Sequence, residues 1–315
     1  MSVDRAVALQ LRPFTAGMET GLAQRFEVVR WFELGPAERK EWLNQRAASV
    51  RAVVTSGDLG CPNDLVEALP SLGIIAINGV GFDKVDLSLA RARGVRVVRT
   101  PGLLADDVAD LAVGLIIALL RGIPAADAFV RRGAWENGGW PLARKVTGRR
   151  FGILGLGEIG SAIAHRLSAF GPVSYSGPRR KPVSYAFHPR LLDLAQASDV
   201  LIVSCSANET SRGIVNAAVI DALGPQGYLV NIARGSIVDE SALAAALAAG
   251  RLQGAALDVF ENEPHVPDVL RASDAVVLTP HIASATVETR ALMTELILQN
   301  IDAFLRGAPL PTAVV

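Results

Sequence analysis

Three short stretches of the chain carry side chains that could do chemistry together. Arg234, Glu263 and His281 each follow a separate apolar run of strand length. If these runs are parallel strands of one sheet, their carboxyl ends lie at the edge where ligands bind in open α/β folds. A guanidinium, a carboxylate and an imidazole gathered in one crevice are the groups that hydride transfer to a keto acid would need.

A glycine-rich turn supplies the second half of such a site. Gly155, Gly157 and Gly160 form a GxGxxG pattern between an apolar run ending at Leu154 and an alanine-rich segment with helical spacing. Such glycines allow a tight turn, the approach of a pyrophosphate to backbone N–H groups, and close packing of the helix on the sheet. A purely structural turn is the alternative, but a second apolar run at 173–175 completes the order of a βαβ unit.

The residues after this second run indicate which dinucleotide binds. Ser176 stands where an acidic residue would hold the ribose of NAD, and Arg179, Arg180 and Lys181 follow it. Guanidinium groups match phosphate oxygens bidentately, and Ser176 could add a hydrogen bond. We therefore expect NADP(H), with a solvated basic loop as the competing interpretation.

Short apolar runs alternate with helix-like segments along most of the chain. This alternation predicts an α/β protein with doubly wound parallel sheets covered by helices. Helices are expected near 36–47, 63–69, 241–249 and 288–306, with a short Pro-rich tail from 308. The other expected strands are 6–9, 27–32, 52–55, 74–77, 95–98, 200–204, 228–232, 255–259 and 275–279.

Two further segments have more than one interpretation. The loop 78–83 contains Gly79 and Gly81 after a strand, so it is either an anion site built from backbone N–H groups or a plain turn. A buried apolar helix is expected from Asp106 to about Arg121, ended by Gly122 and Pro124. The irregular loop 131–146 that follows carries Trp135 and Trp140, which favour a dimer contact over a substrate contact.

Composition excludes several classes of protein. The 315 residues suit two domains, and the formal net charge of zero argues against nucleic acid or an anionic membrane as partner. Cys61 and Cys205 are expected to be small buried residues, and no spacing of cysteine and histidine suggests zinc, so no metal is expected. The first residues have no signal-peptide pattern, and the longest apolar run is too short to span a bilayer; both favour a cytoplasmic protein.

Taken together and in order, these motifs resemble the D-isomer-specific 2-hydroxyacid dehydrogenases over essentially the whole chain. The basic residues after the second nucleotide-fold strand are most similar to those of the NADPH-dependent glyoxylate/hydroxypyruvate and hydroxyphenylpyruvate reductases. The resemblance implies a homodimer, with a Rossmann cofactor domain at 99–284 inserted into a smaller flavodoxin-like substrate domain at 1–98 and 285–315. The segments that carry it are 78–83, 106–110, 155–160, 232–235, 258–264 and 280–284.

The resemblance also implies a role for each site residue. Arg234 would bind the substrate carboxylate and the keto oxygen, His281 would donate a proton to that oxygen, and Glu263 would orient the ring and favour its protonated form. The backbone N–H groups of Val80 and Gly81 would hold the other side of the carboxylate, and Asp258 would contact the nicotinamide carboxamide. The implied cofactor contacts are Gly155, Gly157, Glu158, Ile159, Gly160, Ser176, Arg179, Arg180, Cys205, Ser206, Ile232, Ala233, Arg234, Asp258 and His281.

Each role has a structural alternative, and the sequence departs from the family pattern at two places. Arg234 and Glu263 could form a structural ion pair, His281 could be a core residue, and Asp258 could cap a turn. Residues 206–208 read Ser-Ala-Asn where a Pro-Leu-Thr-like run is usual, so phosphate contacts there are in question. Ala283 stands where many members have glycine, which leaves less room beside the nicotinamide.

These observations predict an NADPH-dependent reductase of small 2-keto acids, with hydroxypyruvate and glyoxylate first. An aryl-pyruvate or 2-ketogluconate reductase is the alternative among enzymes. A corepressor-like protein that senses NAD(P) without turnover is the alternative outside them, although the Arg234, Glu263 and His281 set is complete. A phosphoglycerate dehydrogenase would usually have an acidic residue at the position of Ser176.

Overall fold

The computed structural model describes residues 5–315, and the chain divides into two compact units. Unit 1 consists of Met1–Leu103 and Thr286–Val315, and unit 2 consists of Leu104–Ala285. Each unit has its own sheet with helices packed on it, so each is described separately.

The regular elements follow one another along the chain in α/β alternation. The strands are β1 (Val7–Gln10), β2 (Glu27–Arg30), β3 (Val50–Ser56), β4 (Ile74–Asn78), β5 (Arg96–Val98), β6 (Phe151–Leu154), β7 (Val173–Ser176), β8 (Ala186–Phe187), β9 (Val200–Val203), β10 (Tyr228–Asn231), β11 (Gly254–Leu257) and β12 (Val276–Leu278). The helices are α1 (Ala16–Arg25), α2 (Pro36–Arg46), α3 (Asn63–Ala68), α4 (Leu87–Ala92), α5 (Ala105–Arg121), α6 (Ile123–Arg131), α7 (Glu158–Leu167), α8 (Leu191–Gln196), α9 (Ala217–Leu223), α10 (Glu240–Ala248), α11 (Asp268–Arg271) and α12 (Val287–Leu305).

Unit 1 is a five-stranded parallel sheet in the order β2-β1-β3-β4-β5, the flavodoxin-like arrangement. Successive side chains of a strand point to opposite faces, so Val54 and Ala76 meet α1 and α12 while Val53 and Ile75 face the other layer. Both faces of the inner strands are covered, which is why β1, β3 and β4 are mostly apolar and buried. The C-terminal tail returns to β5, where the Val314 N–H donates to the Val97 carbonyl at 2.7 Å.

Unit 2 is a seven-stranded parallel sheet in the order β12-β11-β10-β9-β6-β7-β8. The order reverses between β6 and β9, which is the switch point where dinucleotides bind in Rossmann folds. The predicted fold class, two parallel-sheet α/β units, is thereby confirmed.

The strands expected from the sequence are all present, with ends within two residues of the expected positions. The end assigned to the apolar helix was wrong in one respect. Gly122 does terminate α5 in a left-handed conformation, but Pro124 lies in the first turn of α6, where a missing N–H costs nothing. The sequence did not predict α1, α6, α8, α9, α11 or the short strand β8.

No single helix in residues 5–315 is long and apolar enough to cross a membrane. Among these residues, only α5 and α6 taken together are long and apolar enough by length and composition, and the chain bends by 61° between them.

The helices of unit 1 are joined by an ion pair that makes stability depend on pH. Arg25 in α1 donates two hydrogen bonds of 2.6 Å to Asp302 in α12, and this guanidinium lowers the pKa of the Asp302 carboxyl. We expect Asp302→Asn to lower the free energy of unfolding by about 1 kcal/mol at pH 7. A carboxyl whose pKa is lower in the folded state stabilises the fold above its unfolded pKa, and this contribution disappears as pH falls through the folded pKa.

Urea denaturation of the wild type and the variant at pH 7 and at lower pH values measures this effect. The difference between the two proteins should shrink on acidification. Asp127→Asn is the matched control, because Asp127 pairs with Arg131 on an exposed helix surface and should change stability little. A wild-type advantage that stayed constant down to acidic pH would contradict the interpretation.

Candidate active site

His281 and Glu263 form a hydrogen-bonded pair in unit 2. The Nδ1 atom of His281 lies 2.8 Å from Oε2 of Glu263, and the other carboxylate oxygen accepts a hydrogen bond from the Phe260 N–H at 3.0 Å. A carboxylate can only accept from a ring N–H, so Nδ1 carries the proton in this pair. The ring is about one-third exposed, and its Nε2 atom is left for a reacting group.

The loop that carries His281 is held by Asp258. This buried carboxylate accepts hydrogen bonds from the hydroxyl of Thr279 at 2.7 Å and from the N–H groups of Ile282 and Ala283 at 2.9 and 3.0 Å. The backbone of His281 is left-handed, with φ of 54°, a costly conformation for a residue other than glycine. Asp258 therefore stabilises the strained turn that presents the imidazole.

Asp258 thus caps the turn, which is the structural role that the sequence offered as the alternative to a cofactor contact. Burial raises the pKa of its carboxyl, while the hydrogen bond from Thr279 and those from the loop N–H groups favour its ionised form. A contact of Asp258 with the nicotinamide carboxamide stays a prediction.

Arg234 lies in a turn directly after β10, and the side chain of Asn231 braces this turn. Asn231 accepts a hydrogen bond from the Ala233 N–H at 3.1 Å and donates to the Arg234 carbonyl at 2.9 Å. Next in the chain, a Cβ atom on Gly235 would clash with the backbone of Phe260. The turn that carries Arg234 is therefore packed directly against the segment that carries Glu263.

A further acid, Glu240, supports the same segment from the first turn of α10. Its Oε1 atom accepts a hydrogen bond from the Glu261 N–H at 2.6 Å. Burial, followed by the charges of Glu261 and Glu263, raises the pKa of the Glu240 carboxyl. Sequence reasoning missed Glu240 and Asn231, and the only local signals were an acid in a first helical turn and an asparagine ending a strand.

The glycine-rich turn lies at the switch point of the sheet. Gly155 has φ of 95°, and a Cβ atom there would clash with the backbone of Cys205 after β9. A Cβ atom on Gly160 would meet the Gly155 carbonyl, so this glycine allows α7 to approach the turn. At Gly157 a Cβ atom would meet nothing within 4 Å, which leaves the N-terminus of α7 open to a phosphate group.

The neighbouring loop after β9 closes around the same turn. The hydroxyl of Ser204, which sequence reasoning did not single out, donates to the Gly155 carbonyl at 2.8 Å. Burial raises the pKa of the Cys205 thiol to about 11, so it is a neutral packing group at this point. The Ser206 carbonyl accepts a hydrogen bond from the Ser211 hydroxyl at 2.9 Å, which orders the segment that departs from the family pattern.

Ser176 ends β7 and is buried, while Arg179 and Arg180 are exposed on the loop that follows. Lys181 bends back toward the glycine-rich turn, where its Nζ atom donates to the Leu156 carbonyl. Its backbone N–H donates to the Tyr175 hydroxyl at 2.7 Å. This loop therefore brings a third cation beside the proposed phosphate site, a residue that the sequence-based site did not include.

Val80 and Gly81 lie in unit 1, in the loop after β4. The carbonyls of this loop are occupied, since Gly79 accepts from the Thr100 N–H at 2.9 Å and Val80 from the Arg99 side chain at 3.1 Å. Neither the Val80 nor the Gly81 N–H has a hydrogen-bond acceptor among residues 5–315. Two neighbouring N–H groups available in this way suit a carboxylate.

The sheet order, the glycine turn and the adjoining Arg234, Glu263 and His281 loops define a dinucleotide-binding oxidoreductase. Residues 113–283 match the family model described as the NAD-binding domain of D-isomer specific 2-hydroxyacid dehydrogenases. The chain belongs to this family, which confirms the resemblance that the sequence motifs indicate.

Two relatives and one solved structure illustrate the similarity. Hydroxyphenylpyruvate reductase of Plectranthus scutellarioides is 47% identical over 98% of both chains. Glyoxylate/hydroxypyruvate reductase A of Arabidopsis thaliana is 46% identical, also over 98% of both. The NADPH-dependent glyoxylate/hydroxypyruvate reductase of Sinorhizobium meliloti, solved with NADP and malonate, is 40% identical with a TM-score of 0.92, covering 99% of this chain and 97% of that one.

Proposed function

We propose that this protein reduces small 2-keto acids, hydroxypyruvate and glyoxylate first, to D-2-hydroxy acids with NADPH. The observation that carries the proposal is the 2.8 Å pair of His281 and Glu263, presented by a strained turn beside the turn of Arg234. An imidazole oriented by a carboxylate is a proton donor in position, and a guanidinium beside it suits a keto acid.

Each residue then has a defined part in the reaction. The nicotinamide, when bound, supplies the hydride. Arg234 binds the substrate carboxylate and stabilises the negative charge that grows on the keto oxygen. His281 donates the proton at Nε2 to that oxygen, and Glu263 keeps Nδ1 protonated and the ring oriented. Within unit 1, the Val80 and Gly81 N–H groups are proposed as a site for a carboxylate.

Two relatives support the substrate class by their names, one for glyoxylate and hydroxypyruvate and one for hydroxyphenylpyruvate. The second name makes an aryl-pyruvate the alternative substrate. A panel of keto acids, followed by nicotinamide absorbance with NADPH and NADH, decides between them. Hydroxypyruvate and glyoxylate should give the highest kcat/KM. A clear preference for hydroxyphenylpyruvate would favour the alternative, and dinucleotide binding without any turnover would support a sensing protein instead.

The preference for NADPH rests on the loop after β7. Ser176 leaves no carboxylate to repel a 2′-phosphate, and Arg179 and Arg180 are exposed beside it. We expect the Arg179→Ala, Arg180→Ala double variant to raise the KM for NADPH about 10- to 100-fold, because charge-assisted hydrogen bonds contribute about 1.5–3 kcal/mol. The KM for NADH should stay close to the wild-type value.

Arg190→Ala is the control for this experiment, because Arg190 is exposed in the same unit but pairs with Asp193. It should leave both KM values unchanged. If the double variant lost affinity for NADH and NADPH equally, the two arginines would not be the groups that bind the 2′-phosphate.

A homodimer is the assembly that we infer for the protein. Large apolar side chains are exposed on α6 and on the segment after it, including Val130, Trp135 and Leu142. Trp140 packs on Phe129 of α6, with ring centroids 5.2 Å apart, so this segment and α6 form one surface. Light scattering coupled to size exclusion measures the assembly, and a monomer at micromolar concentration would contradict the inference.

A further inference from the structure

A half-buried acid, Glu240, is the first residue of α10 and reaches across to the loop that carries Glu263. The cap of this helix is another residue, Asp239, whose side chain accepts a hydrogen bond from the Ala242 N–H at 2.9 Å. An acid in a first helical turn ordinarily stabilises its own helix through the dipole. Glu240 in addition accepts a hydrogen bond of 2.6 Å from the N–H of Glu261, 21 residues away in the chain. This contact between two loops points to a purpose beyond the helix.

The loop that receives this hydrogen bond positions the proton donor of the site. The carboxylate of Glu263 closes the loop by accepting from the Phe260 N–H at 3.0 Å, and its other oxygen lies 2.8 Å from Nδ1 of His281. Glu261 lies in the middle of this closed loop. A displacement of its backbone would therefore move the carboxylate that orients the imidazole.

The chain between Arg234 and Glu240 lies against the same loop at both of its ends. At the first end, a Cβ atom on Gly235 would clash with the backbone of Phe260. At the second end stands the hydrogen bond of Glu240. One short stretch of chain therefore fixes the turn of Arg234 and the 260–263 loop relative to each other.

Glu240 also places a negative charge near the pair of Glu263 and His281. Burial, followed by the charges of Glu261 and Glu263, raises the pKa of the Glu240 carboxyl. Electrostatic interaction is mutual, so an ionised Glu240 adds to the negative potential that Glu263 produces at the imidazole. A negative potential favours the protonated form of an imidazole.

Other charged groups close to α10 are paired with a partner of opposite sign. Arg212, which is mostly exposed, donates to Glu261 at 3.1 Å. Asp221 belongs to α9, which packs on α10, and it pairs with Arg251 beyond the opposite end of α10. Neither pair adds an uncompensated charge beside Glu263.

We propose that Glu240 is a positioning residue for the proton donor and acts on His281 through the loop of Glu263. The inference rests on the proposed function, in which His281 gives a proton to the keto oxygen. The hydrogen bond from Glu261 to Glu240 holds the Glu263 carboxylate at the ring, and the charge of Glu240 keeps the ring protonated to higher pH. Without Glu240 the reduction continues, but more slowly and over a narrower range of pH.

The pH dependence of kcat/KM for hydroxypyruvate separates the hydrogen bond from the charge. Glu240→Gln keeps an oxygen for the Glu261 N–H and removes the charge, so the low-pH plateau should stay within about twofold while the alkaline fall moves to lower pH by about half a unit. Glu240→Ala also removes the hydrogen bond and should lower the plateau about 10-fold. Glu240→Asp keeps the charge and should keep the alkaline fall at the wild-type pH. The control is Asp193→Asn, in the first turn of α8, where Asp193 pairs with Arg190; it should change neither quantity.

A second measurement does not need turnover. Imidazole NMR follows the titration of each histidine, and His281→Asn assigns the resonance of His281. Glu240→Gln should lower the titration midpoint of His281 by about half a pH unit and leave those of the other three histidines in place. If Glu240 only stabilises its own helix, Glu240→Gln would lower the melting temperature and move neither the midpoint nor the alkaline fall, which would overturn the inference. A wild type that reduces no keto acid but shows the Glu240-dependent midpoint would overturn the proposed function and leave the positioning role standing.

Discussion

Replacement of His281 by asparagine is expected to lower kcat for hydroxypyruvate by about 10³-fold, since a positioned general acid contributes 10² to 10⁴. Asparagine is the informative replacement because it tolerates the left-handed backbone that His281 adopts, with φ of 54°. It therefore removes the proton donor and leaves the turn held by Asp258 in place. The KM should change little, because the imidazole acts mainly in the transition state.

Two companion variants separate proton transfer from loop structure. Glu263→Gln keeps an acceptor for the Phe260 N–H, 3.0 Å away, but cannot stabilise an imidazolium, so it should lower kcat less than the loss of His281. His265→Asn, at a histidine outside the site, should retain wild-type rates. Activity in His281→Asn within threefold of the wild type would show that another group delivers the proton.

Replacement of Arg234 by methionine is expected to lower kcat/KM for hydroxypyruvate by about 10³- to 10⁴-fold. The guanidinium is proposed to act twice, on the carboxylate of the bound substrate and on the developing charge of the keto oxygen. The loss should therefore divide between a higher KM and a lower kcat, unlike the loss in His281→Asn. Arg234→Lys should recover little of the lost kcat/KM, because lysine cannot form a bidentate pair with the substrate carboxylate.

The control for this variant is a second arginine of unit 2. Arg212 pairs with Glu261 at 3.1 Å and is mostly exposed, so Arg212→Met removes the same charge at a neighbouring position. It should leave steady-state rates nearly unchanged, and Gly235, packed on Phe260, should keep the turn of Arg234 in place in both variants. A change in KM alone for Arg234→Met would limit this residue to binding and leave the stabilisation of the keto oxygen to another donor.

Local features of the sequence were sufficient for most of the fold. The strands and the glycine-rich turn each depend on a few neighbouring residues. The spacing of apolar residues and the positions of the glycines were therefore enough to predict them. The helix α1 was missed because Gly17 and Gly21 lower its helix propensity. In the structure, a Cβ atom on Gly21 would meet the side-chain methyl groups of Leu298 in α12, so this glycine lies where the two helices pack closely.

The sequence alone determined the residue types at the site and the strand ends that carry them, because the carboxyl ends of parallel strands share one edge. It did not reveal which group each side chain contacts. The left-handed turn of His281, the capping by Asp258 and the support from Glu240 depend on hydrogen bonds between residues far apart in the chain. Only tertiary structure decides such contacts, since their geometry is set by the packing of whole elements and leaves no pattern among sequence neighbours.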